Sequence, residues 1–115
     1  MLTKKSGVTR IRALGMNYMR FAKVYPHLFM LLFCADKPEN VCIFDSRMDQ
    51  NKPYILRVLK ENYGMTDQKF AEDAYIKIGI FLHGLAMLMI TKSAKISDDK
   101  AVRLFAEVAG RLFKE

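Results

Sequence analysis

The chain has no tryptophan, only three prolines and only two cysteines among its 115 residues. Cys34 and Cys42 lie outside any Cys-x-x-Cys, so no zinc-ribbon or thioredoxin-like spacing is available. Two such thiols suit a reducing cytoplasm, where they stay buried and unlinked. Gly-x-Ser-x-Gly, a phosphate loop and His-Glu-x-x-His are all missing, so no residue is marked for catalysis and no enzyme is expected. His27, Cys34, Cys42 and Asp45 can be drawn as a set, but their spacing matches no metal pattern, and neither metal nor cofactor is expected. Acids are absent from residues 1–23, where Lys4, Lys5, Arg10, Arg12, Arg20 and Lys23 stand unopposed in a chain of net charge +7. Such an arm meets nucleic acid or an anionic surface, or is a solvated helix face whose cations interleave with apolar positions. No apolar run follows the first lysines, so no signal peptide is expected. The longest apolar stretch, Ile78 to Thr91, is about fourteen residues against about twenty for a bilayer span. It predicts a buried core helix and no membrane partner.

What is present is a folding composition. Hydrophobic residues make up 51% and charged residues 27%, which excludes bulk disorder and fits one domain over residues 1–115. Eight methionines and eight phenylalanines give an adaptable interior, although methionine also serves simply as a good helix former.

The apolar spacing is helical throughout. Ile11, Leu14, Tyr18, Phe21, Ala22 and Tyr25 recur every three or four residues and predict a first helix over about Val8 to Tyr25. Pro26 interrupts it and opens a short second helix to about Ala35, apolar nearly all round. Asp36 to Gln50 reads as a long loop, with Val41 to Phe44 tucked down. A third helix is predicted from Pro53 to Tyr63, capped by Asn51 and closed by Gly64. Thr66 opens the longest helix, expected to reach Ser93, with Phe70, Ala74, Ile78, Phe81, Leu85 and Leu88 on its buried face. Its wet strip, Lys69, Asp73 and Lys77, fades toward the C-terminal half. A second apolar-to-small face, Tyr75, Gly79, His83, Ala86 and Ile90, needs a cover that one copy does not readily supply. Ser97 caps the last helix, which carries Val102, Phe105, Ala106, Ala109, Gly110, Leu112 and Phe113. Ala106 and Gly110, four apart, predict a close helix approach.

Two segments carry a resemblance. Tyr18, Phe21, Ala22, Pro26, Leu28, Phe29, Leu32 and Phe33 form a "Tyr-x-x-Phe-Ala-x-x-x-Pro-x-Leu-Phe-x-Leu-Leu-Phe" pattern, followed far downstream by His83-Gly84-Leu85-Ala86. In that order they resemble the regulatory C-terminal domain of TetR/AcrR-type transcriptional regulators, over essentially the whole chain. The resemblance implies an all-α, five-helix domain whose last two long antiparallel helices form a four-helix bundle in a homodimer. It implies a sensor of a small hydrophobic effector that controls DNA binding through an N-terminal helix-turn-helix. No such motif occurs in residues 1–115, so this chain alone is not expected to read DNA. The position four before His83, often Trp in that family, is Gly79 here, so packing there must differ.

The expected ligand pocket lies between the first, second, third and long helices, lined by Tyr18, Phe21, Phe29, Phe33, Leu59, Tyr63, Phe81, Leu82 and Leu85. Tyr18 and Tyr63 supply hydroxyls to orient a ligand, and the phenylalanines with Met30 and Met89 suit hydrophobic or cationic lipophilic molecules. The expected dimer interface is Tyr75, Gly79, His83, Ala86 and Ile90 with Val102, Phe105, Ala106, Ala109, Gly110 and Phe113. The alternative is a stand-alone basic helical adaptor that binds nucleic acid or an anionic surface through residues 4–23.

Overall fold

The computed structural model of the protein describes residues 4–33, 44 and 52–113, with the side chains of 4–10, Phe33 and Asn62 outside the described set. Also outside it lie both thiols, the expected Asn51 cap and, apart from Phe44, the expected loop from Asp36 to Gln50. The described elements are five helices, with no strand: α1 (Lys4–Val24), α2 (Pro26–Phe33), α3 (Lys52–Tyr63), α4 (Gln68–Ile90) and α5 (Asp98–Leu112). The all-α expectation holds.

Local chemistry sets the boundaries. Pro26 has no N–H for the Ala22 carbonyl and its ring crowds that oxygen, so α1 stops at Val24. Tyr25 bends, and the Phe29 amide donates to the Tyr25 carbonyl at 2.9 Å to restart the ladder as α2. Gly64, at φ +68°, turns the chain after α3 in the left-handed region that glycine enters without a Cβ clash. The long helix begins later than Thr66. Asp67 is its cap, accepting from the Lys69 and Phe70 amides at 3.0 and 3.4 Å, and Asp outranks Thr in that role. Ser97 caps α5 as expected, accepting from the Lys100 amide at 3.1 Å, with Asp98 and Asp99 in the favourable first turn.

α4 also ends earlier than expected, at Ile90, for a length of 23 residues. Lys92 adopts φ 57°, its amide donates to the Met89 carbonyl at 3.3 Å, and the Ser93 amide donates to the Leu88 carbonyl at 3.0 Å. Those two bonds make a Schellman closure, in which glycine is the usual left-handed residue. Here a lysine takes it, against a steric penalty of roughly 1–2 kcal/mol. Lys92→Gly is therefore expected to stabilise the protein by about 0.5–1 kcal/mol, read as a higher urea midpoint. An unchanged or lower midpoint would contradict a strained left-handed lysine.

α1 packs against all four other helices, and α4 packs against α1, α3 and α5. The main core, including Ile11, Val58, Leu59, Ile78, Phe105 and Phe113, lies between α1, α3, α4 and α5. A second centre of Met19, Leu85 and Ala101 ties α1 to the end of α4 and the start of α5. A third, Ala22, Phe29 and Ala86, docks α2. By length and composition α4 is apolar enough to cross a membrane. Its buried residues, Ala71, Ala74, Tyr75, Ile78, Leu85 and Ala86, line the side packed on the rest of the chain, while only 28% of its apolar window is buried.

Leu88 departs from its expected place. Ala74, Ile78 and Leu85 are buried, but Leu88 is 43% exposed. Ten residues on from Ile78 it stands about 80° round the helix, on the side of Lys77. The wet strip of Lys69, Asp73 and Lys77 thus continues as Ile80, Gly84 and Leu88, which are exposed although apolar or small. α5 shows the reverse: it buries Ala101, Phe105 and Ala109 and turns Arg103, Glu107, Gly110 and Arg111 outward.

Candidate functional site

The two segments that carry the resemblance meet in space. α1 brings Tyr18 and Ala22, α2 brings Phe29, and α4 brings His83 and Ala86. The Tyr18 hydroxyl lies 3.3 Å from His83 Nδ1, across 65 residues of sequence. Phe29 stacks on the His83 ring with centroids 5.6 Å apart and takes the edge of Tyr18 at 5.6 Å. Ala22 and Ala86 are buried beside them at 0% and 1% exposure, and their small size lets the three helices approach. Phe29 is also wholly buried, while Tyr18 and His83 are half-buried. The result is an aromatic knot with one polar seam. An imidazole held by a phenol on one side and a phenyl face on the other is oriented, and it is accessible enough to exchange one partner for another.

Among the described residues, the expected ligand side chains are spread over three packing clusters that share Tyr18, Phe81 and Leu82. Tyr18, Phe21 and Phe29 belong to the α2 dock, and Leu85 to the second centre. Leu59 lies in the main core, with Tyr63 packed against it. Phe81 and Leu82 bridge the main core and the second centre. Tyr63 packs edge-on against Phe113 at 5.1 Å, in a different cluster from Tyr18. Burial pushes the Tyr63 hydroxyl above its usual pKa, partly offset by the Arg12 charge. The Phe33 side chain lies outside the described residues.

The expected dimer residues are mostly covered within one chain. Tyr75, 4% exposed, takes the edge of Phe44 at 6.0 Å, and Lys52 Nζ sits 5.4 Å above its ring. A Cβ on Gly79 would lie 2.6 Å from Phe44 Cε1, so the ring of Phe44 fills the space a larger residue would need. His83 and Ala86 face α1 and α2, and Ile90 packs against the α2 dock. Phe105, Ala109 and Phe113 lie in the main core, while Val102 and Ala106 are half-buried. Gly110 is exposed, and a Cβ there would meet nothing within 4 Å, so no close approach is made at it within the chain. The close approach occurs at Gly15, where a Cβ would lie 2.7 Å from the Phe105 ring.

An open groove of about 220 Å³ lies beside the knot, lined by Met16, Met19, Arg20, Lys23, Val24, Met89, Asp98, Ala101 and Val102. Of these, sequence reasoning placed Met89 near a pocket, Val102 at an interface, and Arg20 and Lys23 in the basic arm, and did not bring them together. The available signal was the spacing of Met16, Met19, Arg20 and Lys23 at i, i+3, i+4 and i+7, one face of α1. Among the described residues, no three His, Cys, Asp or Glu side chains are grouped to hold a metal ion. Comparison with protein-family models, with curated proteins and with solved structures finds no match for this chain.

Proposed function

We propose that this chain is an effector-sensing and dimerising helical domain of the TetR-regulator kind, which answers a small hydrophobic molecule and passes the change to a DNA-reading domain outside residues 1–115. What supports the reading is the convergence of Tyr18, Phe29 and His83, because these residues belong to the two segments on which the resemblance rests. A knot that joins α1, α2 and α4 couples any molecule displacing one ring to the positions of three helices. The response is bounded by the difference in affinity of that molecule for the two arrangements.

The pairing surface proposed is the one that a single chain leaves bare. Ile80 and Leu88 of α4 are 58% and 43% exposed with Gly84 open between them, and Leu31 of α2 is 66% exposed. Exposed apolar residues of this kind suit an association surface, and a two-fold axis makes such a surface its own complement. Native mass spectrometry at tens of micromolar is expected to give twice the chain mass, and Ile80→Lys with Leu31→Lys to give the single mass. A parent protein that stays single under those conditions overturns the dimer.

A second reading is favoured by the exposed side of α1, which presents Arg12 and Arg20, with Lys23 beside them paired to Asp98 of α5. A basic adaptor working through residues 4–23 would bind nucleic acid or anionic vesicles with an affinity that falls steeply as salt rises. Stabilisation by an apolar ligand that is indifferent to salt favours the sensor.

A further inference from the structure

We propose that the groove between α1, the end of α4 and the start of α5 binds a short anionic amphiphile, with its chain on Met16, Met19 and Met89 and its acid head on Arg20. The inference rests on reading the chain as a sensor of a small hydrophobic molecule, and it gives that molecule a place and a charge.

The size of the groove sets the length of the chain. At about 30 Å³ for each water-sized unit of liquid, 220 Å³ admits roughly seven heavy atoms, the alkyl part of an octyl compound. Methionine sets the kind of surface. Met19 is 6% exposed and forms the floor, while Met16 at 39% and Val24 at 58% form the lip. Thioether side chains are polarisable and unbranched, so they adjust to a flexible chain better than branched residues do.

Charge sets the head group. Lys23 Nζ is held 2.6 Å from Asp98 Oδ1, so the two lining charges at the α5 end of the groove cancel. Arg20 makes no ion pair with any described residue, which leaves one uncompensated guanidinium at the mouth. A carboxylate gains that partner, an alcohol gains little, and a quaternary ammonium is repelled. The same cation explains why the groove suits an acid, whereas composition alone pointed as readily to lipophilic cations.

The test uses the full chain with carbon-13 labelled methionine methyl groups, titrated separately with sodium octanoate, octanol and octyltrimethylammonium. Octanoate is expected to move the Met16, Met19 and Met89 signals and to leave Met65, 2% exposed in the main core, where it was. Its affinity should exceed that of octanol about fivefold, the upper end for an exposed ion pair, and octyltrimethylammonium should bind most weakly. Arg20→Gln should remove the advantage of octanoate and leave octanol unchanged. Val24→Trp, at an exposed position, should fill the groove and weaken both. Equal binding of octanoate and octanol to the parent chain overturns the assignment of Arg20. Movement of the Tyr18 and His83 ring signals with Met16 and Met19 unmoved overturns the groove but leaves the sensor reading standing. No movement anywhere at millimolar octanoate counts against both.

Discussion

Replacing Phe105 with alanine is expected to cost about 3–5 kcal/mol of folding stability, a large part of the roughly 5–15 kcal/mol that holds a domain together. Phe105 is 2% exposed and lies in the main core with Ile11, Ile78 and Phe113. Its ring rests on the backbone of α1 at Gly15, where a built Cβ would lie 2.7 Å from both Cε1 and Cζ. That contact is why a buried glycine is tolerated inside a helix at a cost of about 1 kcal/mol against alanine. Gly15→Ala recovers the helix propensity but drives a methyl into a ring with no exposed side to retreat to. Overpacking costs roughly 1–3 kcal/mol, so the net change is a loss. Gly15→Ala combined with Phe105→Leu should lose less than the sum of the two single changes, because the shorter side chain vacates the space the new methyl takes. Urea unfolding with a constant slope measures all of these. A loss below about 1 kcal/mol for Phe105→Ala, or strict additivity in the pair, would contradict the contact.

This contact also marks how far the sequence could be read. Pro26 as a break, Gly64 as a stop and Ser97 as a cap were legible because each acts through its own backbone or a neighbour within a turn. The five helices followed from apolar spacing together with these local stops and caps. Lys92 was not legible, because the left-handed closure of α4 is normally announced by a glycine, and a lysine there is an exception carried by the two amide bonds that follow. Leu88 was misplaced because an almost wholly apolar helix gives periodicity little contrast, and about 80° of rotation decides between core and surface. The packing of the glycines within one chain was not legible for a different reason. Gly110 and Gly15 look alike in sequence, but among the described residues of one chain Gly15 meets an aromatic ring and Gly110 does not, and that ring belongs to a helix most of the chain away. Phe44 over Gly79 is likewise a contact from outside the helix, 35 residues away. The candidate site was half legible: Tyr18, Phe29 and His83 were singled out individually, but nothing in the spacing announces a bond spanning 65 residues. The dimer expectation assumed that Tyr75, Gly79 and His83 lacked cover, and Phe44, Lys52, Tyr18 and Phe29 supply it within one chain.

The second large effect is expected at Phe29. α2 has eight residues, and Phe29 is the one wholly buried side chain among those described in it, whereas Leu28, Met30 and Leu32 are 44%, 39% and 39% exposed. Too short to hold its own helical form in water, α2 depends on anchors such as Phe29. Phe29→Ala should cost about 3–5 kcal/mol, as for any fully buried phenylalanine. The loss should also be local in form. Hydrogen exchange at α2 amides should approach the unfolded rate while α5 amides keep their protection. The His83 ring signals should move as the stacked phenyl face is withdrawn, and the Tyr18 hydroxyl should lose the ring that holds its edge. Leu31→Ala is the informative contrast. At 66% exposure in one chain it should change stability by no more than about 0.5 kcal/mol if α2 stands free. If a second copy covers α2, the same substitution costs more, and the cost grows as protein concentration rises through the dimer dissociation range. Phe29 and Leu31, two residues apart on one short helix, therefore report separately on how α2 is held to its own chain and on what lies across it.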